Sequence, residues 1–137
     1  MIVVDTNIIG YLYLTSERSS QAEQVLRRDP DWVAPLLWRS EFRNVLAFYI
    51  RKRRLNLQAA QEIMDEALGL MVGQEYEVVS SRVLSLVVKS SCSAYDCEFV
   101  ALAQDLGVSL VTVDKQVLDQ FPESAVSLDK YLASPTS

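Results

Sequence analysis

The sequence predicts an α/β domain organised around a mostly parallel sheet. Three observations carry that reading. Short β-branched runs alternate with longer stretches of helical periodicity along the chain, the signature of repeated βα units. The first run, Ile2-Val3-Val4, is apolar without interruption, which suits a central strand covered on both faces. Gly107 stands between a helical stretch and the β-branched run 108–113, where a left-handed residue closes a helix.

Taken in order, the first strand ends at Asp5, and Thr6 and Asn7 add a hydroxyl and an amide where strand gives way to helix. Ser19 is expected to cap a helix that turns Ala22, Val25 and Leu26 inward and stops before Asp29-Pro30. Trp32-Val33-Ala34 reads as a short strand stopped by Pro35. Across 36–53, Phe42, Val45, Leu46, Tyr49 and Ile50 recur at helical spacing. Asn56 is expected to cap a helix burying Ala59, Ala60, Ile63, Met64, Ala67, Leu68 and Met71, ended by Gly73. A strand over 76–79 should precede a helix with Val83, Leu84, Val87 and Val88 inside. Ala94–Leu106 reads as a helix, 108–113 as a buried strand ending at Asp114, and Ala125–Ser127 as a last strand before a short helical tail. With no repeat, linker or low-complexity tract, residues 1–132 are expected to form one domain, and 133–137 to fray.

Composition narrows the chemistry. Half of the residues are apolar and 23% are charged, as in an ordinary soluble globule. A chain of 137 residues can fold without a structural metal or disulfide, so a metal here would serve function. The N-terminus lacks the pattern of a signal peptide, and no run approaches the ~20 apolar residues of a membrane span. A cytoplasmic protein that avoids membranes is the expectation, with Cys92 and Cys97 as free thiols. The absence of histidine removes Ser-His-Asp and Cys-His machinery, histidine bases and the usual zinc sites. Acid–base or metal chemistry must rest on carboxylates. A net charge of −5 argues against a surface that attracts nucleic acid everywhere, but not against a nucleic-acid substrate at one site.

Four acids stand out by position. Asp5 and Asp114 each follow an apolar strand, and ligands of open parallel sheets bind beyond the carboxyl ends of the strands. Asp96 lies in the first turn of its helix and Glu41 in the early part of another. Singly, each has an ordinary explanation: a turn or cap residue, a partner of the helix dipole worth ~0.3–1 kcal/mol, or a solvated side chain. The stretch around Asp96 is nevertheless too apolar for an exposed helix face.

The segments Val3-Val4-Asp5-Thr6-Asn7, Ser40-Glu41-Phe42-Arg43-Asn44-Val45-Leu46, Tyr95-Asp96-Cys97-Glu98-Phe99-Val100-Ala101-Leu102-Ala103 and Leu110-Val111-Thr112-Val113-Asp114 resemble the successive motifs of PIN-domain proteins, in their order and spacing. The likeness spans residues 3 to 114, and VapC-type toxins of toxin–antitoxin pairs are the nearest kind. The resemblance implies a three-layer α/β/α sandwich and an acidic pocket for Mg²⁺, with Mn²⁺ able to substitute. Asp5, Glu41, Asp96 and Asp114 match the acidic motif positions, so they are the expected catalytic and metal-holding residues. Thr6, Asn7 and Thr112 match accessory polar positions. The implied activity is endoribonuclease cleavage of RNA to 5′-phosphate and 3′-hydroxyl ends. A cognate antitoxin protein and a homodimer are the implied partners. Glu98 is an additional acid, but two residues along a helix turn it ~200° from Asp96.

The substrate of an acidic protein needs cations. Arg39 and Arg43 flank Glu41 and are candidates for phosphate contact, while Arg51-Lys52-Arg53-Arg54 is the densest basic cluster, at a helix end where basic residues are also ordinary. Two other classes compete with this reading. An aspartate-based phosphatase would want a second Asp two places after the first, and position 7 is Asn; a phosphoacceptor domain would want an adjacent acidic pair. A non-catalytic scaffold on a PIN-like fold is the remaining alternative, and an absence of Mn²⁺-dependent stabilisation would mark it.

Overall fold

Ile2-Val3-Val4 forms the middle strand of a sheet, and all three side chains are buried, as a strand covered on both faces requires. The computed structural model describes residues 1–135. Within them, β1 (Ile2–Val4), β2 (Trp32–Pro35), β3 (Glu75–Tyr76), β4 (Leu110–Thr112) and β5 (Ala125–Ser127) pair in parallel in the order β3-β2-β1-β4-β5. Eight helices connect and flank these strands among the described residues: α1 (Thr6–Tyr13), α2 (Ser19–Arg28), α3 (Trp38–Arg51), α4 (Leu57–Leu70), α5 (Ser80–Val88), α6 (Ala94–Leu106), α7 (Lys115–Gln120) and α8 (Leu128–Ala133). The result is the three-layer α/β/α sandwich expected.

Helix α6 crosses β1, β2 and β4, with α5 packed upon it, while α1, α2 and α8 serve the other layer. Cys97 and Phe99 through Ala103 are all buried, so α6 is apolar nearly all round and behaves as a core helix. Its C-terminus is closed by Gly107 at φ 67°, a conformation a side chain would strain. From β1 the chain steps outward to β2 and β3, then returns to lay β4 on the opposite side of β1. That reversal opens a crevice beyond the carboxyl ends of β1 and β4.

Several boundaries depart from expectation. Arg18, not Ser19, is the N-cap of α2; Ser19 Oγ instead donates to the Leu14 carbonyl and accepts from the Ser16 amide, both at 3.0 Å, closing the α1–α2 turn. The strand expected over 76–79 is the two-residue β3, because its only neighbour, β2, runs out at the Pro35–Tyr76 pair. In α5, Val83 and Leu86 are buried, but Leu84 and Val88 are 61% and 85% exposed. The helix meets the rest of the molecule through α6, so one narrow stripe is covered and the apolar residues beside it are not. Helix α7 was not foreseen: its six residues bury only Val117, too little for a periodic signal. The 36–53 helix and the 108–113 strand are each shorter by a few residues at their ends. α8 reaches Ala133, and the fraying expected at 136 and 137 lies outside the described residues. Among the described residues no helix is long and apolar enough to cross a membrane. Cys92 and Cys97 are buried free thiols.

Candidate active site

Four helices start around the crevice, and each brings one acid. Asp5 is the N-cap of α1, and its Oδ1 accepts from the Ile8 amide at 3.1 Å. Asp114 caps α7 in the same way, its Oδ1 accepting from the Val117 amide at 3.1 Å. Asp96 lies in the first turn of α6, which Ser93 caps by accepting the Asp96 amide at 3.1 Å. Glu41 lies in the first turn of α3. The positive ends of four helix dipoles therefore face four carboxylates, an arrangement worth ~0.3–1 kcal/mol per charge. Asp5 and Asp114 do serve as caps, as the ordinary reading holds, and they line the pocket as well.

Hydroxyls link the acids. Thr6 Oγ1 donates to Glu41 Oε1 at 2.7 Å, joining α1 to α3. Thr112 Oγ1, at the end of β4, donates to Asp5 Oδ2 and accepts from the Asp114 amide, the latter at 3.0 Å. Thr112 is 1% exposed, so this single hydroxyl couples the ends of β1 and β4.

Asp5, Thr6, Asn7, Glu41, Asp96, Thr112 and Asp114 all line one solvent-open pocket of about 270 Å³. Burial dominates its electrostatics. It pushes Asp5 up to about 6, against the hydrogen bonds from Thr112, Ile8, Val113 and Asn7 that favour the charged form. The Glu41 carboxyl is raised by burial, then by the charges of Asp96 and Asp5, against the Thr6 bond. Asp96 is raised by burial and by Asp114, against its bonds with Ser93. Like charges confined in a partly desolvated crevice hold protons above the usual carboxylate range, and a cation among them would relieve that cost. Among the described residues no three acidic or cysteine side chains stand close enough to enclose a metal ion unaided. The donor set is instead carboxylate, hydroxyl and amide oxygen around an open space. That suits a hard divalent ion such as Mg²⁺, which binds few carboxylates and keeps several waters.

A PIN domain match covers residues 2–123. The chain belongs to the PIN domain family. Ribonuclease VapC3 of Pyrobaculum aerophilum is 30% identical to this PIN domain over 124 residues, 88% of this chain and 95% of that protein. The crystal structure of PAE2754 from Pyrobaculum aerophilum superposes with a TM-score of 0.76 at 20% identity, covering 96% of this chain and 93% of that one. FitAcB from Neisseria gonorrhoeae superposes with a TM-score of 0.73 at 17% identity, covering 93% and 98%. At these identities the structural likeness concerns the PIN fold.

Two of the expected site residues lie elsewhere in this PIN domain. Arg39 is turned to β3, where its Nε and Nη2 donate to the two carboxylate oxygens of Glu75 at 2.5 Å each, beside a 2.7 Å bond from Trp38 Nε1 to Glu75 Oε2. Arg43 borders a shallow apolar groove between α3 and α4, with Leu46, Ile50 and Met64. Neither lines the acidic pocket. Asn44 and Phe99 do line it, and sequence reasoning did not single them out. Asn44 was detectable, since it lies three residues after Glu41 and so shares its helix face. Phe99 carried no such signal, because an aromatic on an apolar helix reads as core. Glu98 is not among the lining residues.

Proposed function

We propose that this protein is a divalent-metal-dependent endoribonuclease, the toxin of a type II toxin–antitoxin pair acting in the cytoplasm. The observation that carries the reading is the meeting of Asp5, Glu41, Asp96 and Asp114 in one pocket at the strand-order reversal. Membership of the PIN domain family and the 30% identity to a protein named Ribonuclease VapC3 support it.

In this reading Asp5 and Asp96 are the principal ligands of Mg²⁺ or Mn²⁺, with Glu41 and Asp114 completing the acidic ring. Bound there, the ion would polarise a phosphodiester oxygen and lower the pKa of an attacking water. Thr112 holds Asp5 against the end of β4. Thr6 occupies Glu41 Oε1, which leaves Oε2 to accept a hydrogen bond from water or from the RNA. Asn7 and Asn44 supply amides at the rim that can bond the sugar or phosphate. Hydrolysis leaves a 5′-phosphate and a 3′-hydroxyl. A small antitoxin protein and a second copy of the chain are the proposed partners.

Cleavage of a mixed pool of single-stranded and structured RNA, with Mg²⁺, Mn²⁺ or EDTA, tests the reading against Asp5→Ala. Metal-dependent cleavage that the variant lacks is expected. No cleavage with either metal, together with no Mn²⁺-dependent rise in melting temperature, would sink it in favour of a binding scaffold.

A further inference from the structure

The pocket that would receive RNA is lined by four carboxylates and by no lysine or arginine, in a chain of net charge −5. A polyanion must be captured somewhere else on the molecule. Several cations are committed internally. Arg39 is bound to Glu75, Arg82 pairs with Asp105 at 2.8 Å, and Arg28 donates to the carbonyls of Tyr131, Leu132 and Ser134. The cluster Arg51-Lys52-Arg53-Arg54 is different: all four side chains are exposed, and among the described residues none makes an ion pair.

Aromatic rings are set among these cations. Phe48 is 52% exposed, Lys52 Nζ lies 5.6 Å from its ring centroid, and its edge meets Tyr49 at 6.0 Å between centroids. Beside them is a hollow whose walls include Tyr13, Tyr49 and Arg54. Phe48 is the exposed ring, Tyr13 and Tyr49 are half-buried at the hollow, and the Tyr13 hydroxyl donates to the Glu66 carbonyl at 3.2 Å. A ring exposed among cations is what an unpaired base and its phosphates require. A purely acidic peptide such as polyglutamate would use the charges but has no planar group to stack on the Phe48 ring.

The same two helices join this patch to the acidic pocket. α1 and α3 are tied at the pocket by Thr6 and Glu41, touch where Gly10 faces Phe42, and reach the hollow with Tyr13 and Tyr49. At ~1.5 Å per residue, α3 carries Tyr49 about 12 Å and Arg51 about 15 Å from Glu41. A few nucleotides of single strand bridge that distance.

We propose that the end of α3, Phe48 with Arg51 to Arg54, and the Tyr13–Tyr49 hollow form a second, non-catalytic RNA-binding site that holds the strand a few nucleotides from the bond to be cleaved. This rests on the nuclease reading, but its test does not need cleavage. Fluorescence anisotropy with a short labelled single-stranded RNA in EDTA, over a salt series, compares wild type with a combined variant, Arg51→Gln, Lys52→Gln, Arg53→Asn and Arg54→Gln. Asn suits position 53, whose φ is 59°. Each lost phosphate contact on a single strand removes about 0.7 from the slope of log K against log salt, so the variant should lose roughly two to three units of slope. Phe48→Ala should weaken binding roughly fivefold or more with the slope unchanged. Lysine in place of Arg51, Arg53 and Arg54 should restore both affinity and slope, which separates charge from any loss of fold. In Mg²⁺ the neutral variant should raise KM for a long RNA with kcat retained. Wild-type and variant slopes that agree would overturn the proposal, as would wild type binding a polyglutamate peptide and not RNA. Absence of cleavage with the slope loss intact would instead count against the nuclease reading alone.

Discussion

Replacing Asp5 by Asn removes a charge that the fold holds at a cost. Burial raises the Asp5 carboxyl to about 6, from an ordinary value near ~4. Between those values the folded protein keeps a proton that the unfolded chain has released. The contribution of Asp5 to stability therefore falls as pH rises from about 4 to about 6, and stays level above that. At 1.36 kcal/mol per unit the loss is roughly 3 kcal/mol, and about 2–3 kcal/mol of it lies between pH 4 and pH 7. Asn keeps the cap, because its oxygen can accept from the Ile8 amide, and it does not titrate. It loses the acceptor for Thr112, a bond whose preference for the charged carboxylate is already contained in the value of about 6. The measurement is urea unfolding of wild type and Asp5→Asn in metal-free buffer at pH 4 and pH 7. The difference between the two proteins should move by about 2–3 kcal/mol in favour of the variant on going to pH 7. A difference independent of pH would refute the claim that burial outweighs the hydrogen bonds at Asp5. A variant unfolded at both pH values would show that the Thr112 and Ile8 contacts dominate instead.

Asp96→Asn should keep or raise melting temperature in metal-free buffer, since it relieves repulsion from Asp114, and should remove most of the rise caused by Mn²⁺; unfolding of the variant would make Asp96 structural. Thr112→Val leaves Asp5 Oδ2 and the Asp114 amide without their shared partner, a loss of about 1–3 kcal/mol in urea unfolding, and carbon-detected NMR should find the Asp5 carboxyl titrating higher than in wild type. Glu75 is held below the usual carboxylate range by the Arg39 guanidinium, helped by the Trp38 indole. Its contribution is present above the ordinary value and lost as pH falls through the lowered one, so Glu75→Gln should flatten that acid limb of a stability–pH profile.

The α/β class, the parallel sheet and the strand-end places of Asp5 and Asp114 were legible because each rests on local signals, while Glu41 and Asp96 were picked out by the likeness of their segments to PIN-domain motifs. An apolar run declares a buried strand, Gly107 closes a helix, and an acid after such a strand points to the ligand edge of a parallel sheet. Linear order could not say which surfaces meet. The pairing of β2 with β3 brings Glu75 beside Arg39, so a cation two residues before Glu41 in sequence is spent on an ion pair. The choice of Val83 and Leu86 over Leu84 and Val88 as the buried stripe of α5 depends on where α6 lies. Thr112 acquires its place between Asp5 and Asp114 only because β4 returns to the side of β1 opposite β2. The sequence by itself determined which residues could bear charge at the ends of strands and helices. The tertiary structure decided which of those charges share a pocket, how far burial shifts them, and which cations remain free, because these follow from distances across the sheet order.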